Sequence, residues 1–129
     1  MQEPSAELDE WAHRVIGAAI EVHRHLGPGL LEAVYEEALA HEFELRGIAF
    51  ERQAVVRVPY KSIIAGEGRC DFIVADCLPV ELKAIDRIHP IFLAQTTNYL
   101  KAIEQPLALI VNFNVMVLKD GIRRVVLTR

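Results

Sequence analysis

Asp71, Glu81 and Lys83 are the residues of this chain whose types and spacing could do chemistry together. They lie in Arg69–Lys83, RCDFIVADCLPVELK, which reads as two short strands joined by a tight turn, with Asp71 on the first and Glu81-Leu82-Lys83 on the second. Side chains alternate faces along a strand, so Glu81 and Lys83 point one way and Leu82 the other. If Asp71 shares the Glu81/Lys83 face, two carboxylates and an ammonium converge on one small volume. That is the minimum equipment for metal-dependent hydrolysis of a phosphodiester.

The register of the two strands tests this. Positions directly opposite on paired strands project to the same face. Asp71 joins Glu81 and Lys83 only if paired positions sum to an even number. An example is 71 with 83, 73 with 81 and 75 with 79, across an odd turn such as Asp76-Cys77-Leu78 or a bulge. The other face then collects Cys70, Phe72, Val74, Val80, Leu82 and Ala84, all apolar or nearly so. An odd sum would mix charges into that face, and a one-residue slip is costly where one face is buried. The hydrophobic pattern therefore independently prefers the register the chemistry needs. Pro79 fits at the start of the second strand, where a missing donor is tolerated.

The elements that must position these groups follow from periodicity. Residues 7–26 predict a helix, with Leu8, Trp11, Ala12, Val15, Ala19, Val22 and Leu26 on one face. His23 and His25, two apart, fall on different sides of it and are expected to face solvent or bond locally. Gly27-Pro28-Gly29 turns the chain. Leu30 to Arg46 predicts a second helix, with Leu30, Val34, Ala38 and Leu45 as one apolar stripe and Glu32, Leu39 and Phe43 near another line, flanked by Tyr35 and Glu36. A carboxylate in line with Leu39 and Phe43 is expected to be partly buried and to want a cation or a donor. At the start of a helix it also favours the dipole, which is the plainer reading of Glu32.

Ile48 to Pro59 predicts a strand, and Tyr60 to Gly68 a turn or widened connection before the Arg69–Ala75 and Pro79–Ile85 hairpin. Ile91 to Ile103 predicts a helix on which Gln95 and Tyr99, four apart, are neighbours. Leu107 to Phe113 is an apolar run suited to a strand buried on both faces. Val115–Leu118 and Ile122–Leu127 flank Lys119-Asp120-Gly121, a hairpin signal. The order is α-α-β-β-β-α-β-β-β, an α/β fold with a mixed central sheet flanked by helices.

Length and composition set bounds. A chain of 129 residues suits a single domain, 1–129, with its own core. No apolar run approaches the ~18 residues of a membrane span, and the acidic, amphipathic N-terminus is unlike a signal peptide. Cys70 and Cys77 form neither a zinc pattern nor a disulfide framework, and read as reduced thiols of a cytoplasmic protein. The net charge of −4 argues mildly against a passive nucleic-acid binder. Its distribution says more. Residues 1–51 hold 11 acids and 3 bases, net −8, whereas residues 52–129 hold 7 acids and 11 bases, net +4. The half with the candidate site is basic, as a phosphate-handling surface should be, although Glu-rich helices are also simply well solvated.

Asp71 followed by Glu81-Leu82-Lys83 resembles the core of the PD-(D/E)XK nuclease superfamily, with Cys70 where the name-giving Pro would stand. Gln95-x-x-x-Tyr99 resembles the Gln/Tyr motif of its RecB-like branch, and Gly29-Leu30-Leu31-Glu32-Ala33-Val34-Tyr35 resembles the signature of the GxxExxY family within it. The resemblance covers residues 8 to 127 and implies a restriction-endonuclease-like core. It implies a nuclease in which Glu32, Asp71, Glu81 and the carbonyl of Leu82 bind Mg²⁺, with Mn²⁺ a substitute. By the same resemblance Lys83 orients or deprotonates the attacking water, and Gln95 positions Lys83, the water or the nucleic-acid backbone. Tyr35, Tyr99 and Arg69 would touch nucleic acid or support the residues that do.

Three readings follow. The first is a metal-dependent nuclease acting on DNA or RNA. The second is a non-catalytic nucleic-acid-binding or protein-interaction module on the same fold. The third is a structural salt-bridge network of Asp71, Glu81 and Lys83 without metal. So small a domain, with no appended reader, is one that a homodimer or a protein partner would help to hold substrate.

Overall fold

The structure, a computed structural model, describes residues 4–127. Ser5 caps the first helix, α1 (Ala6–Leu26), by accepting a hydrogen bond from Leu8 N at 3.1 Å. Glu7 and Asp9 in its first turn and His23, Arg24 and His25 in its last complement the helix dipole. Gly27, at φ +67°, stops it. The expected face is the buried one, with Leu8, Ala12, Val15, Ala19 and Val22 joined by Ala18; Leu26 is partly exposed. His25 pairs locally with Glu21 as expected, but His23 neither faces solvent nor bonds locally: it is buried and bonds to the distant Val115 carbonyl at 2.8 Å.

The second helix, α2 (Glu32–Leu45), buries the line of Leu39 and Phe43 rather than the stripe of Leu30, Val34, Ala38 and Leu45. Tyr35, Leu39, Ala40 and Phe43 face the core, while Leu30, Val34 and Leu45 are exposed. Apolar residues surround this helix, so its period alone does not choose a side. The aromatic pair decides, because large rings gain most from burial. Tyr35 stacks on Phe113 at 4.5 Å and Phe43 meets Phe72 edge-on at 5.2 Å.

Five strands follow: β1 (Phe50–Tyr60), β2 (Ile63–Val74), β3 (Leu78–Lys83), β4 (Leu107–Asn112) and β5 (Ile122–Val126). The third helix, α3 (Pro90–Ile103), connects β3 to β4. The strands lie in sequence order in one sheet, antiparallel except for the β3–β4 pair. A parallel pair needs a long crossover, and α3 supplies it. Helices α1 and α2 cover one face through Phe72, Val74, Val80, Leu82, Leu109 and Val111. Helix α3 covers the other, packing on Ala108, Ile110 and Val125 and, through Tyr99, on Val56 and Cys70. The α/β architecture with a mixed sheet between helices is as the sequence predicts.

Three local expectations are corrected. Tyr60–Gly68 is not a loop: β2 begins at Ile63, and the two strands form a long ribbon closed by Lys61-Ser62. Val115–Leu118 is not a strand. It bends into a 3-10 turn at Leu118–Gly121, so only β5 closes the sheet. The reason is a close approach, since a Cβ at Gly121 would lie 2.0 Å from the Asn112 carbonyl oxygen. Finally, Cys70 does not share a core with Phe72. Phe50 and Phe72 pack in the α1/α2 layer, but Val56 and Cys70, of matching parity on their strands, pack with Tyr99 of α3. The ribbon changes faces between them, at Gln53 and Asp71.

Candidate functional site

The β2–β3 register pairs Phe72 with Val80, Ile73 with Pro79 and Val74 with Leu78. Its sum is even, as the hydrophobic pattern of the sequence predicts. The turn is Ala75-Asp76-Cys77, one residue earlier than the expected example, with Ala75 and Asp76 at positive φ. Beyond Phe72 and Val80 the ladder stops, and two side chains take over its hydrogen bonds. Asp71 N donates to Glu81 Oε1 at 2.8 Å, and Leu82 N donates to Asp71 Oδ2 at 2.8 Å. The strands fork here, and each carboxylate is fixed by the backbone of the opposite arm.

Lys83 Nζ lies 4.0 Å from Glu81 Oε2 and 4.5 Å above the ring of Phe92 on α3. A cation held over an aromatic face keeps its charge partly free for a second partner. Glu32, in the first turn of α2, is close enough for the charges of Asp71 and Lys83 to act on it. The structure thus joins Asp71, Glu81, Leu82 and Lys83 at the fork, with Glu32 within range of the charges of Asp71 and Lys83.

Tyr99 is buried on α3; its hydroxyl donates to the Arg69 carbonyl at 3.2 Å and accepts from Gln95 Nε2 at 3.1 Å. Gln95 and Arg69 are exposed beside the fork. Tyr35 is different. It is fully buried, and its hydroxyl donates to the Gly27 carbonyl and accepts from Leu30 N. It supports the turn into α2 and presents no surface to a nucleic acid.

Burial pushes the Glu81 carboxyl up to about 7, with the charge of Asp71 adding to the shift. Burial raises Asp71 too, and the Leu82 N–H and the Gln53 amide work against it. Glu32 is raised by burial and then by Asp71. Burial also raises the Tyr99 hydroxyl and, far more, the Cys70 thiol, with Glu81 adding to both. The charge of Lys83 works against the rise of all three carboxyls.

A profile of the PD-(D/E)XK nuclease superfamily matches residues 9–125. The chain belongs to the PD-(D/E)XK nuclease superfamily. Among solved structures this PD-(D/E)XK chain is similar to an alkaline exonuclease (LHK-Exo) from Laribacter hongkongensis. The identity is 13%, the TM-score 0.54, and the match covers 99% of this chain and 73% of that one. The likeness bears on the fold. No curated protein matches the chain.

PD-(D/E)XK nucleases generally work with divalent metal ions. Among the described residues no three His, Cys, Asp or Glu side chains form a ready cation cluster. The donor chemistry nevertheless fits. Glu32, Asp71 and Glu81 offer only hard oxygen atoms, which Mg²⁺ and Mn²⁺ prefer. Burial is the main cause that raises all three carboxyls, and it favours their neutral forms while no cation is bound.

Two neighbours of the site escape a reading of the sequence. Gln53 on β1, at φ +51°, donates its amide to Asp71 Oδ1 at 3.2 Å and to Glu36 Oε1 at 2.8 Å. Glu36 is held in turn by Arg52 Nε at 2.8 Å. A polar residue on a half-exposed strand carries no signal of this; only the departure of β1 from ideal geometry exposes it. Phe92 reads as a packing residue on α3, and its role as the platform under Lys83 is set by three dimensions alone.

Proposed function

We propose that this chain, 1–129 as a single nuclease-like domain, hydrolyses nucleic-acid phosphodiester bonds with Mg²⁺, Mn²⁺ serving as a substitute. One observation carries the reading: Asp71 and Glu81 interlock across the β2–β3 fork with Lys83 on the same side, in a chain of this superfamily. Glu32, Asp71, Glu81 and the Leu82 carbonyl would hold the cation. When bound, it polarises a phosphoryl oxygen and acidifies a water.

The chain's own groups do the rest. Lys83 orients the attacking water and meets the negative charge that builds on phosphorus. The water gives up a proton to solvent as its oxygen bonds to phosphorus, the bond to the leaving nucleotide oxygen breaks, and that oxygen takes up a proton from solvent. Gln95, fixed by Tyr99, positions Lys83, the water or the substrate backbone, and Arg69 offers its guanidinium to phosphate. Tyr35 and Tyr99 act from beneath the surface.

The GxxExxY assignment fits the same picture. Gly29, at φ +96°, makes the turn, Tyr35 fastens it, and Glu32 begins α2 within range of the charge of Asp71. Among the described residues no helix is long and apolar enough to cross a membrane. Both cysteines are free thiols, which supports a reducing, cytoplasmic setting. A homodimer or protein partner would extend so small a substrate surface.

The test is cleavage of single- and double-stranded DNA and RNA with Mg²⁺ or Mn²⁺, with Lys83→Ala protein purified identically. Metal-dependent cleavage by the parent alone establishes the nuclease and its substrate class. Metal-independent binding without cleavage, equal in both proteins, replaces it with the non-catalytic binding module.

A further inference from the structure

We propose that Gln53 is a positioning residue of the nuclease centre, its backbone reversed within β1 so that its side-chain amide sits between the carboxylates of Asp71 and Glu36. This deepens the function proposed above and rests on it.

The backbone is the first observation. Gln53 has φ +51°, a region that L residues with a Cβ rarely occupy. The reversal lies where the ribbon changes faces, and it needs no inserted residue, because the register is the same on either side, Arg52 with Phe72 and Ala54 with Cys70. The reversed peptide is held from outside by Arg69, whose Nη1 donates to the Gln53 carbonyl at 3.1 Å. Strain kept in place by surrounding contacts is characteristic of functional positions.

The side chain is the second, independent observation. Gln53 Nε2 donates to Asp71 Oδ1 at 3.2 Å and to Glu36 Oε1 at 2.8 Å. The Leu82 N–H already holds Asp71 Oδ2. With both oxygens anchored, the plane of the Asp71 carboxylate is fixed, and its remaining lone pairs are fixed with it. Glu36 is itself anchored by Arg52, so the chain Arg52–Glu36–Gln53–Asp71 ties α2 and β1 to the fork.

The residue type is the third. Glycine would suit the backbone best but has no amide. A carboxylate here would add a third negative charge between Glu36 and Asp71, and a lysine would compete with a cation. A neutral double donor at a glycine-favouring position separates two like charges and leaves the charge of Asp71 available to a metal. Partners that hold ligating carboxylates in this way set metal affinity and activity.

The experiment compares the parent with Gln53→Gly and Gln53→Glu. Thermal midpoint is measured in EDTA, Mn²⁺ affinity by the resonance signal of free Mn²⁺, and kcat and KM on single-stranded DNA at saturating Mn²⁺. Gln53→Gly is expected to match or exceed the parent's metal-free midpoint, because glycine relieves the backbone, while Mn²⁺ affinity and kcat each fall about 10-fold or more and KM holds. Gln53→Glu is expected to lose kcat at least as severely. The inference is overturned if Gln53→Gly binds Mn²⁺ and turns over within about twofold of the parent. It is also overturned if affinity and midpoint fall together, which marks a purely structural residue. A parent that neither takes up Mn²⁺ nor cleaves sinks the nuclease reading itself, and this inference with it.

Discussion

Asp71 and Glu81 each accept a backbone N–H across the fork, so these acids are structural parts of the sheet as well as members of the proposed site. Their burial has a consequence for pH. The Glu81 carboxyl is raised from an ordinary 4.5 to about 7, so the folded state binds its proton more tightly than the unfolded chain does. The sign follows: this contribution to stability is fully present below pH 4.5 and lost as pH rises through about 7. Denaturant unfolding in EDTA should show parent stability falling across that window relative to Glu81→Gln, by on the order of 2–4 kcal/mol. At pH 8, Mg²⁺ or Mn²⁺ should raise the parent's melting temperature by binding the native state. Asp71→Ala should abolish that rise; a destabilised Asp71→Ala, with no metal effect in the parent, would favour the metal-free salt-bridge network. The acids and Lys83 could be found from the sequence because strand alternation sorts them from the apolar residues between. Gln53 could not, since a backbone dihedral of +51° leaves no trace in residue type.

At the level of elements, two contacts hold the site's walls. Tyr35 fixes the turn from which α2 delivers Glu32, through hydrogen bonds to Gly27 and Leu30. Tyr35→Phe should lose about 1–2 kcal/mol in chemical denaturation, and metal affinity should weaken as Glu32 is freed. Tyr99 anchors α3 to β2 over Gly68, where a Cβ would stand 2.9 Å from its hydroxyl. Gly68→Ala should therefore push Tyr99 off Arg69 and cost about 1–3 kcal/mol, with Tyr99→Phe showing a smaller loss. Helices α1 and α3 and strands β3 and β4 were legible because each has a clean period or an unbroken apolar run. The ribbon was not, because Gly66, Gly68 and exposed Ile63 and Ile64 mimic a loop when no neighbouring strand can be seen. The buried side of α2 was also ambiguous, since its period offers two stripes and only the fit of Tyr35 against Phe113 chooses.

For the molecule as a whole, the charge divides as the layers do. The acidic first 51 residues contain α1 and α2, and the basic remainder supplies nearly all of the sheet and α3. Nucleic-acid binding should weaken steeply with added salt, as counterion release demands; an affinity indifferent to salt would argue against a phosphate-reading surface. The β1–β2 ribbon has a different consequence. Every residue from Arg57 to Glu67 is exposed, although the strands remain paired to Tyr60 and Ile63. A two-stranded hairpin without a covering layer is marginal in water. Its amide hydrogens should therefore exchange with solvent deuterium through local fraying, at rates insensitive to denaturant. Those of β3 and β4, buried between the helical layers, should exchange only when the entire chain opens. Mass spectrometry of pulse-labelled fragments would separate the two regimes, and equal protection in both would mean that the ribbon and the sheet open as one unit.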